Sequence, residues 1–582
     1  MKGLVLKQSL TAALASATRR SGRSAAPRFQ PVRAEAARGP EPARSSAVEF
    51  PHPAFVSRDD PTLLVPEKKE LPLGKDRLAA GLARKTKIVC TIGPGTASVE
   101  MLTKLAEAGM NVARLNMSHG DHSSHLAVIN MVKEINAKGF HCIGLLLDTK
   151  GPEIRSGDLR EPLQLQRHDR LVLTIREGAQ GQDNVVSINY DGFVDDVGVG
   201  DMILVDGGIM SFKCVEVTGT DIVCEVMEGG QFKSRRHLNI RGKSASLPSI
   251  TDKDWDDITF GVENGVDFIA LSFVKEAQTI RELKEWLEER GSHAHVLPKI
   301  ESATSVQNLE EILDVSDGAM VARGDLGAEL PVQEVPYWQS RIVQGCRRRG
   351  KNVIVATNML ESMIENPTPT RAEVSDISIA VREGTDAVML SGETAYGKYP
   401  LRSVQVMSRV ALTTEASMLS YRGARRFGTD ESERIDWIRR PKDDEEPTLL
   451  EITEMFAYHT TMMANTLKAP IVAFSRYGTV PRLLSHYRPD NRIFCFTEST
   501  HIQRLLTLAH GVVPIKIGFG EGAEETIDRA LSILVERGLT RPHQQVALVR
   551  GGVQPIWKST DGSTHAIHAR RCPDVVVDGE VV

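Results

Sequence analysis

Six places in this 582-residue chain put chemically capable side chains directly after a short apolar run. Arg114, Asn116, Ser118 and His119 follow one run, and Asp148, Thr149, Glu153 and Arg155 follow the next. Lys299 and Glu301 follow a third, and Gly324 and Asp325 a fourth. Thr357 ends a fifth, and Ser391 and Glu393 end a sixth. Glu301 and Asp325 are hard oxygen ligands suited to Mg²⁺ or Mn²⁺. Lys299 and Arg114 are cations suited to a phosphoryl group. Asn116, Ser118, Asp148 and Thr149 offer neutral and anionic oxygens, a set that suits a weakly hydrated monovalent cation. Gly324 leaves backbone N–H groups open to a ligand oxygen. Such a set fits phosphoryl transfer, where positioning and charge neutralisation supply most of the catalysis.

Each motif also has a plain structural reading. A lone Lys-x-Glu is usually an ion pair at a strand end. Arg323–Asp325 is a common turn tripeptide, and Ser391–Thr394 is ordinary capping chemistry. His119 has no second His at ligand spacing, and Met359 and Met363 read as core. What raises the functional reading is the common placement of all six sets.

The elements that must position these groups can be read from periodicity. Eight apolar runs begin near Lys87, Val112, Ile143, Phe268, Val296, Ala319, Val353 and Ala387. Amphipathic segments such as Val99–Ala108, Ser124–Ala137, Thr279–Arg290 and Ala372–Arg382 separate them. Eight strands alternating with helices predict an α/β fold, a (β/α)8 TIM barrel over 85–152 and 247–415. The open doubly wound sheet is the alternative. In a barrel the six motifs form one ring around one mouth. Between 153 and 246 the pattern is β only, punctuated by Asp206–Gly208, Thr218–Asp221 and Glu228–Gly230, which predicts an inserted small β-barrel domain acting as a lid. Residues 416–582 predict a C-terminal α/β domain for regulation or oligomerisation, with strands near Ile471, Ile493, Val513 and Val546.

Composition narrows the partners. The chain is 41% apolar, 25% charged and only 5% aromatic, with net charge −5, so nucleic acid is not expected. No apolar run is long enough to span a membrane. The seven cysteines are scattered without a C-x-x-C pair, which points to a reduced compartment. The first 34 residues hold seven Lys/Arg and no Asp or Glu, the composition of a plastid or mitochondrial transit peptide. A disordered basic tail is the alternative, and the stretch to residue 75 reads as linker.

The motifs Asn111–Gly120 (NVARLNMSHG), Asp148–Arg155 (DTKGPEIR), Met320–Gly327 (MVARGDLG) and Met389–Ala395 (MLSGETA) resemble pyruvate kinase. So do Thr91–Pro94 (TIGP) and Pro369–Glu373 (PTRAE). The resemblance runs from about Lys85 to the C-terminus. The segment Ser234–Asp254 is similar to the plastid enzymes of plants and algae, which implies the plastid stroma, with mitochondrion or cytosol as alternatives. The resemblance implies transfer of the phosphoryl group of phosphoenolpyruvate to ADP, giving pyruvate and ATP. It implies Mg²⁺ on Glu301 and Asp325, and K⁺ on Asn116, Ser118, Asp148 and Thr149. Arg114, Lys299, Gly324, Asp325 and Thr357 would bind phosphoenolpyruvate. Asn116, His119, Arg155 and Arg236 would face the nucleotide. Lys299 would neutralise charge on the transferring group, and Thr357, Ser391 and Glu393 would order a proton path to the enolate. Glu153, where the family has either Glu or Lys, implies K⁺ dependence. A homotetramer, or a hetero-oligomer with related subunits, is the implied assembly. Ser475–Thr479 matches one phosphate loop of fructose 1,6-bisphosphate-activated members. Arg550–Trp557 lacks the spacing of the second, so that activation is not expected. The competing readings are a carbon–carbon lyase on the same barrel and a catalytically silent regulatory subunit of a mixed oligomer.

Overall fold

The computed structural model describes residues 84–243, 247–424, 448–520, 522–551 and 565–574, with the short stretches 576–577 and 580–581. The expected transit peptide and linker over 1–75 lie outside the described residues.

Eight parallel strands close a ring in sequence order: β1 (Lys87–Thr91), β2 (Val112–Asn116), β3 (Gly144–Asp148), β4 (Phe268–Leu271), β5 (His295–Ile300), β6 (Gly318–Ala322), β7 (Asn352–Ala356) and β8 (Ala387–Leu390). Lys87 pairs with Ala387 to close the ring, which decides for the barrel over the open sheet. Most of these strands are buried along their whole length, as expected of parallel strands covered on both faces. Helices form where Ser, Thr or Asp can cap the first turn. Thr251 with Asp254 starts Asp252–Glu263, and Thr370 with Glu373 starts Arg371–Glu383.

Side chains alternate along the strands between two apolar layers. Ile88, Cys90, Leu115, Leu147 and Val355 face the helices. Val89, Val112, Leu146, Phe268, Leu297, Met320, Ile354 and Met389 fill the interior, so the barrel is a packed core rather than a pore. Leu505 and Leu508, from the C-terminal part of the chain, belong to this interior cluster.

The chain leaves the barrel after β3. The six-stranded sheet beyond it runs in the order Leu238–Ile240, Met202–Val205, Met210–Val217, Asp221–Glu228, Arg170–Thr174, Val185–Ser187. A two-stranded ribbon pairs Leu163–Leu165 with Gly230–Phe232. One helical turn, Phe193–Asp196, interrupts the β-only pattern and buries Phe193 against the sheet.

The C-terminal sheet runs Val512–Lys516, Ile493–Thr497, Ile471–Phe474, Gln545–Gly551, His565–Arg571. Its first four strands are parallel and the fifth is antiparallel. Polar bonds tie this unit to the amino ends of the barrel strands. Lys87 Nζ donates to Val512 O (2.6 Å), and Arg504 Nε donates to Asp267 Oδ1 (2.8 Å). All seven cysteines are free thiols. Among the described residues no helix is long and apolar enough to cross a membrane.

Candidate active site

The carboxyl ends of β2, β3 and β5 converge on one ion-pair cluster. Arg114, buried on β2, donates from Nε to Asp148 Oδ2 (2.7 Å) and from its terminal nitrogen to Thr91 Oγ1 (2.8 Å). Asp148 ends β3 and is 1% exposed. Burial works against its charge, but Arg114 and Lys299 outweigh that and hold the carboxyl below its ordinary range.

Lys299 on β5 has three partners. Its ammonium lies 2.8 Å from Ser272 Oγ, 3.1 Å from Glu301 Oε2 and 3.4 Å from Asp148 Oδ1. Burial lowers its pKa, yet Asp148, Glu301 and Asp325 together raise it above the ordinary lysine value. The group is therefore a fixed cation at neutral pH. Glu301 is fully buried, and the N–H of Phe273 donates to its Oε1 (2.6 Å). Phe273 has φ 51°, a left-handed turn immediately after β4 that delivers this N–H. The other oxygen, Oε2, is buried without a hydrogen-bond partner and has only the lysine ammonium nearby. Burial raises the Glu301 pKa, Lys299 opposes the rise, and Asp325 adds to it.

Asp325 sits in the first turn of Arg323–Glu329, which begins where β6 ends. The Gly324 N–H donates to Thr357 Oγ1 (2.9 Å). A Cβ on Gly324 would meet protein only at 3.7 Å and beyond, so the missing side chain frees space above the site. Thr357 and Asn358 both have positive φ, 64° and 54°. Such conformations for non-glycine residues cost of order 1–3 kcal/mol each and concentrate at functional sites. Arg323 holds this turn by donating to Thr357 O (2.6 Å).

Glu393 is buried, and its two oxygens accept from Leu360 N (2.9 Å) and Ser391 N (2.7 Å). Its carboxylate thus ties the turn after β7 to the turn after β8. Burial raises its pKa.

Of the expected nucleotide residues, Asn116 stands in register beside Asp148 where β2 and β3 end. Asn116 Oδ1 accepts from Ser118 N (3.3 Å), and His119 is exposed on the same loop. Arg155 donates to Glu153 Oε2 (2.8 Å) and to Arg235 O (2.9 Å). Arg236 pairs with Asp206 (2.9 Å) inside the insert.

Four contributors escape sequence reading. Ser272 donates to Thr149 O (2.6 Å) and accepts from Lys299, so it links the third, fourth and fifth strand ends. Thr91 orients Arg114, and the Phe273 N–H fixes Glu301. Asp254, fully buried, accepts from Gly151 N (3.0 Å) and anchors the loop after Asp148. A serine after an apolar strand is the only signal Ser272 gives, and it is too common to single one out.

The chain matches the family model for the pyruvate kinase barrel domain over residues 83–404 and that for the pyruvate kinase alpha/beta domain over 454–564. The chain belongs to the pyruvate kinase family. It is a phosphotransferase of the kind that moves a phosphoryl group between phosphoenolpyruvate and ADP. It is 55% identical over 489 residues to plastidial pyruvate kinase 2 of Arabidopsis thaliana, spanning 84% of this chain and 81% of that one. It is 53% identical to the chloroplastic pyruvate kinase isozyme G of Nicotiana tabacum, over 86% and 85% of the two chains. A crystal structure of a pyruvate kinase from Cryptosporidium parvum superposes with a TM-score of 0.76 at 34% identity. That match covers 86% of this chain and all of the other.

For a pyruvate kinase the donor set can be tested against a divalent ion. Among the described residues no group of three or more His, Cys, Asp or Glu side chains forms a metal cage. Mg²⁺ needs none, because it commonly takes one or two carboxylates and completes its shell with water and substrate oxygens. The buried Oε2 of Glu301, which accepts no hydrogen bond and faces the Lys299 ammonium, fits such an ion. The monovalent set is more engaged. Thr149 is bonded to Ser272 through both its hydroxyl and its carbonyl. Asp148 Oδ1 is buried without a hydrogen-bond partner and faces the Lys299 ammonium at 3.4 Å.

Proposed function

We propose that this chain is a catalytically competent pyruvate kinase of the plastid, active without a second type of subunit. The observation that carries the reading is the mutual contact of Arg114, Asp148, Lys299 and Glu301 at the carboxyl ends of three barrel strands. A silent subunit has no need of a buried lysine held cationic by three carboxylates.

In this reading Arg114 and Lys299 bind the phosphate of phosphoenolpyruvate, and Gly324, Asp325 and Thr357 cradle its carboxylate. Glu301 and Asp325 hold Mg²⁺ or Mn²⁺, which when bound neutralises charge on phosphoryl and enolate oxygens. Lys299, already fixed by Ser272, Asp148 and Glu301, meets the charge that spreads over the transferring group without reorganising at the moment of reaction. Asn116, Ser118, Asp148 and Thr149 hold K⁺. His119, Arg155 and Arg236 contact ADP when the unit spanning 153–246 closes over the barrel mouth. Water exclusion by that closure would protect the enolate until it is protonated.

Thr357 and Ser391 line the proton route, and Glu393 acts by setting the turns that carry them, since both its oxygens already accept backbone N–H groups. The two related chloroplastic enzymes support the plastid assignment, as does the basic N-terminus. Assembly as a homotetramer or with related subunits follows the family. Fructose 1,6-bisphosphate is not the activator in this reading. Ser475–Thr479 supplies one loop, and most of the second, Arg550–Trp557, lies outside the described residues.

The test is pyruvate formation by the purified chain alone, from phosphoenolpyruvate and ADP, with Mg²⁺ and K⁺ omitted in turn. Activity requiring both ions is expected. No ATP formation by a folded chain would leave the silent-subunit reading. Pyruvate released with inorganic phosphate and without ATP would show hydrolysis of phosphoenolpyruvate in place of transfer to ADP.

A further inference from the structure

One glutamate joins three parts of the barrel mouth. Glu329 is the last residue of Arg323–Glu329, the seven-residue helix that follows β6 and carries Asp325 in its first turn. Its carboxylate accepts from the N–H of Ala303 (2.8 Å). Ala303 is two residues beyond Glu301 and opens the helix Ala303–Gln307 after β5. The main-chain carbonyl of Glu329 accepts from the N–H of Gly242 (2.7 Å). Gly242 lies in the turn after Leu238–Ile240, the last strand of the inserted β unit.

Local structure alone does not favour a carboxylate at this position. The C-terminal end of a helix carries partial negative charge, which repels it. Glu329 is also 6% exposed, so its charge is largely removed from water. Lys275 supplies opposite charge: burial lowers the lysine pKa and Glu329 opposes the fall. What the position provides is reach. Four residues after Asp325, Glu329 lies one turn further along the same helix face, and from there its carboxylate spans to the end of β5. The first N–H groups of a helix need outside acceptors. At Ala303–Gln307 the Ser302 hydroxyl serves Ser305 (3.1 Å) and Glu329 serves Ala303.

The turn at Gly242 is bound to its own unit. Arg241 N donates to Met202 O (2.9 Å), and Lys243 Nζ to Asp201 Oδ2 (2.6 Å). Gly242 therefore moves with the six-stranded sheet. The chain returning from that sheet is held again at Leu247, whose carbonyl accepts from Lys275 Nζ (3.1 Å).

We propose that Glu329 is a positioning residue that fixes the separation of Glu301 and Asp325 and links it to the position of the inserted β unit. The inference rests on those two carboxylates holding the divalent ion, as proposed above. A movement of the insert at Gly242 would reach Asp325 through one turn of helix and Glu301 through Ala303. Closure over the mouth and formation of a tight divalent site would then favour each other.

Mn²⁺ binding to the full chain, read by electron paramagnetic resonance without substrates, tests this. Glu329→Ala should weaken Mn²⁺ by about tenfold or more, the usual effect of removing a group that orients metal ligands. Glu329→Gln keeps an acceptor for Ala303 and should restore most of the affinity. Ala303→Pro removes the same N–H at a helix position that proline favours, after the extended Ser302, so it should fold and mimic Glu329→Ala. Hydrogen exchange at Gly242 gives a second readout: saturating Mn²⁺ should slow it in the wild type and not in Glu329→Ala. The inference is overturned if Glu329→Ala and Ala303→Pro bind Mn²⁺ as the wild type does, or if Glu329→Gln is as weak as Glu329→Ala. It is also overturned if Mn²⁺ slows Gly242 exchange equally in wild type and Glu329→Ala. If Glu301→Gln leaves Mn²⁺ binding at the wild-type level, the metal assignment itself fails, and this inference with it.

Discussion

The ammonium of Lys299 reaches across β4 to stand 3.4 Å from the carboxylate of Asp148, joining two strands that do not pair with each other. Ser272, at the end of the strand between them, accepts from the lysine on one side and donates to Thr149 O on the other. Groups from alternate barrel strands share a layer, and this layer holds the proposed chemistry.

Lys299→Met should lower ATP formation by about 10³-fold or more, because the fixed cation facing the transferring phosphoryl group is lost. Protonation of added enolpyruvate should remain measurable, since Thr357, Ser391 and Glu393 are untouched. Turnover near wild type would remove Lys299 from its proposed role.

Ser272→Ala should cut kcat by about tenfold with little change in KM for ADP. The lysine keeps its two carboxylate neighbours but loses the hydroxyl that aims it, and Thr149 loses its tether. Steady-state kinetics together with circular dichroism separate this from unfolding.

Omitting K⁺ should reduce activity by at least about tenfold, as a bound ion that helps order the phosphate site would require. In the proposed reading Glu153, which accepts from Arg155 at 2.8 Å, sets this dependence. Glu153→Lys should restore part of the activity in K⁺-free buffer. Equal rates with and without monovalent cations in the wild type would count against the K⁺ set.

Lys87 gives a pH dependence of stability. Its folded pKa is pulled down to about 7 by burial and Arg84, while the unfolded chain keeps an ordinary lysine. Between these values the unfolded state binds more protons, so stability rises with pH from about 7 to about 10. Lys87→Met removes that titration. Its Tm relative to wild type should therefore climb as pH falls from about 10 to about 7, and a pH-independent difference would contradict the shift.

The barrel was legible because each of its strands is a continuous apolar run followed by a polar residue that protrudes at one end. Arg114, Asp148, Lys299 and Glu301 could be grouped on that basis alone. Ser272 and the Phe273 N–H could not, since a hydroxyl and a backbone turn carry no distinctive side-chain chemistry. The three-residue strands Leu163–Leu165, Val185–Ser187, Gly230–Phe232 and Leu238–Ile240 are too short to express a period of two. Glu393 shows another limit: its type fits a proton carrier, and only its two backbone donors reveal a brace between adjacent turns.

Leu505 and Leu508 carry a consequence for how this molecule can be divided. They complete an interior whose remaining members come from the strands themselves. A fragment ending near Ala424 would lack both leucines and the guanidinium that answers Asp267, letting water into the floor of the cylinder and stranding a carboxylate there. The catalytic half is thus not self-sufficient. Chimeras that exchange the C-terminal unit between relatives must preserve that apolar stopper before any regulatory property can be transplanted.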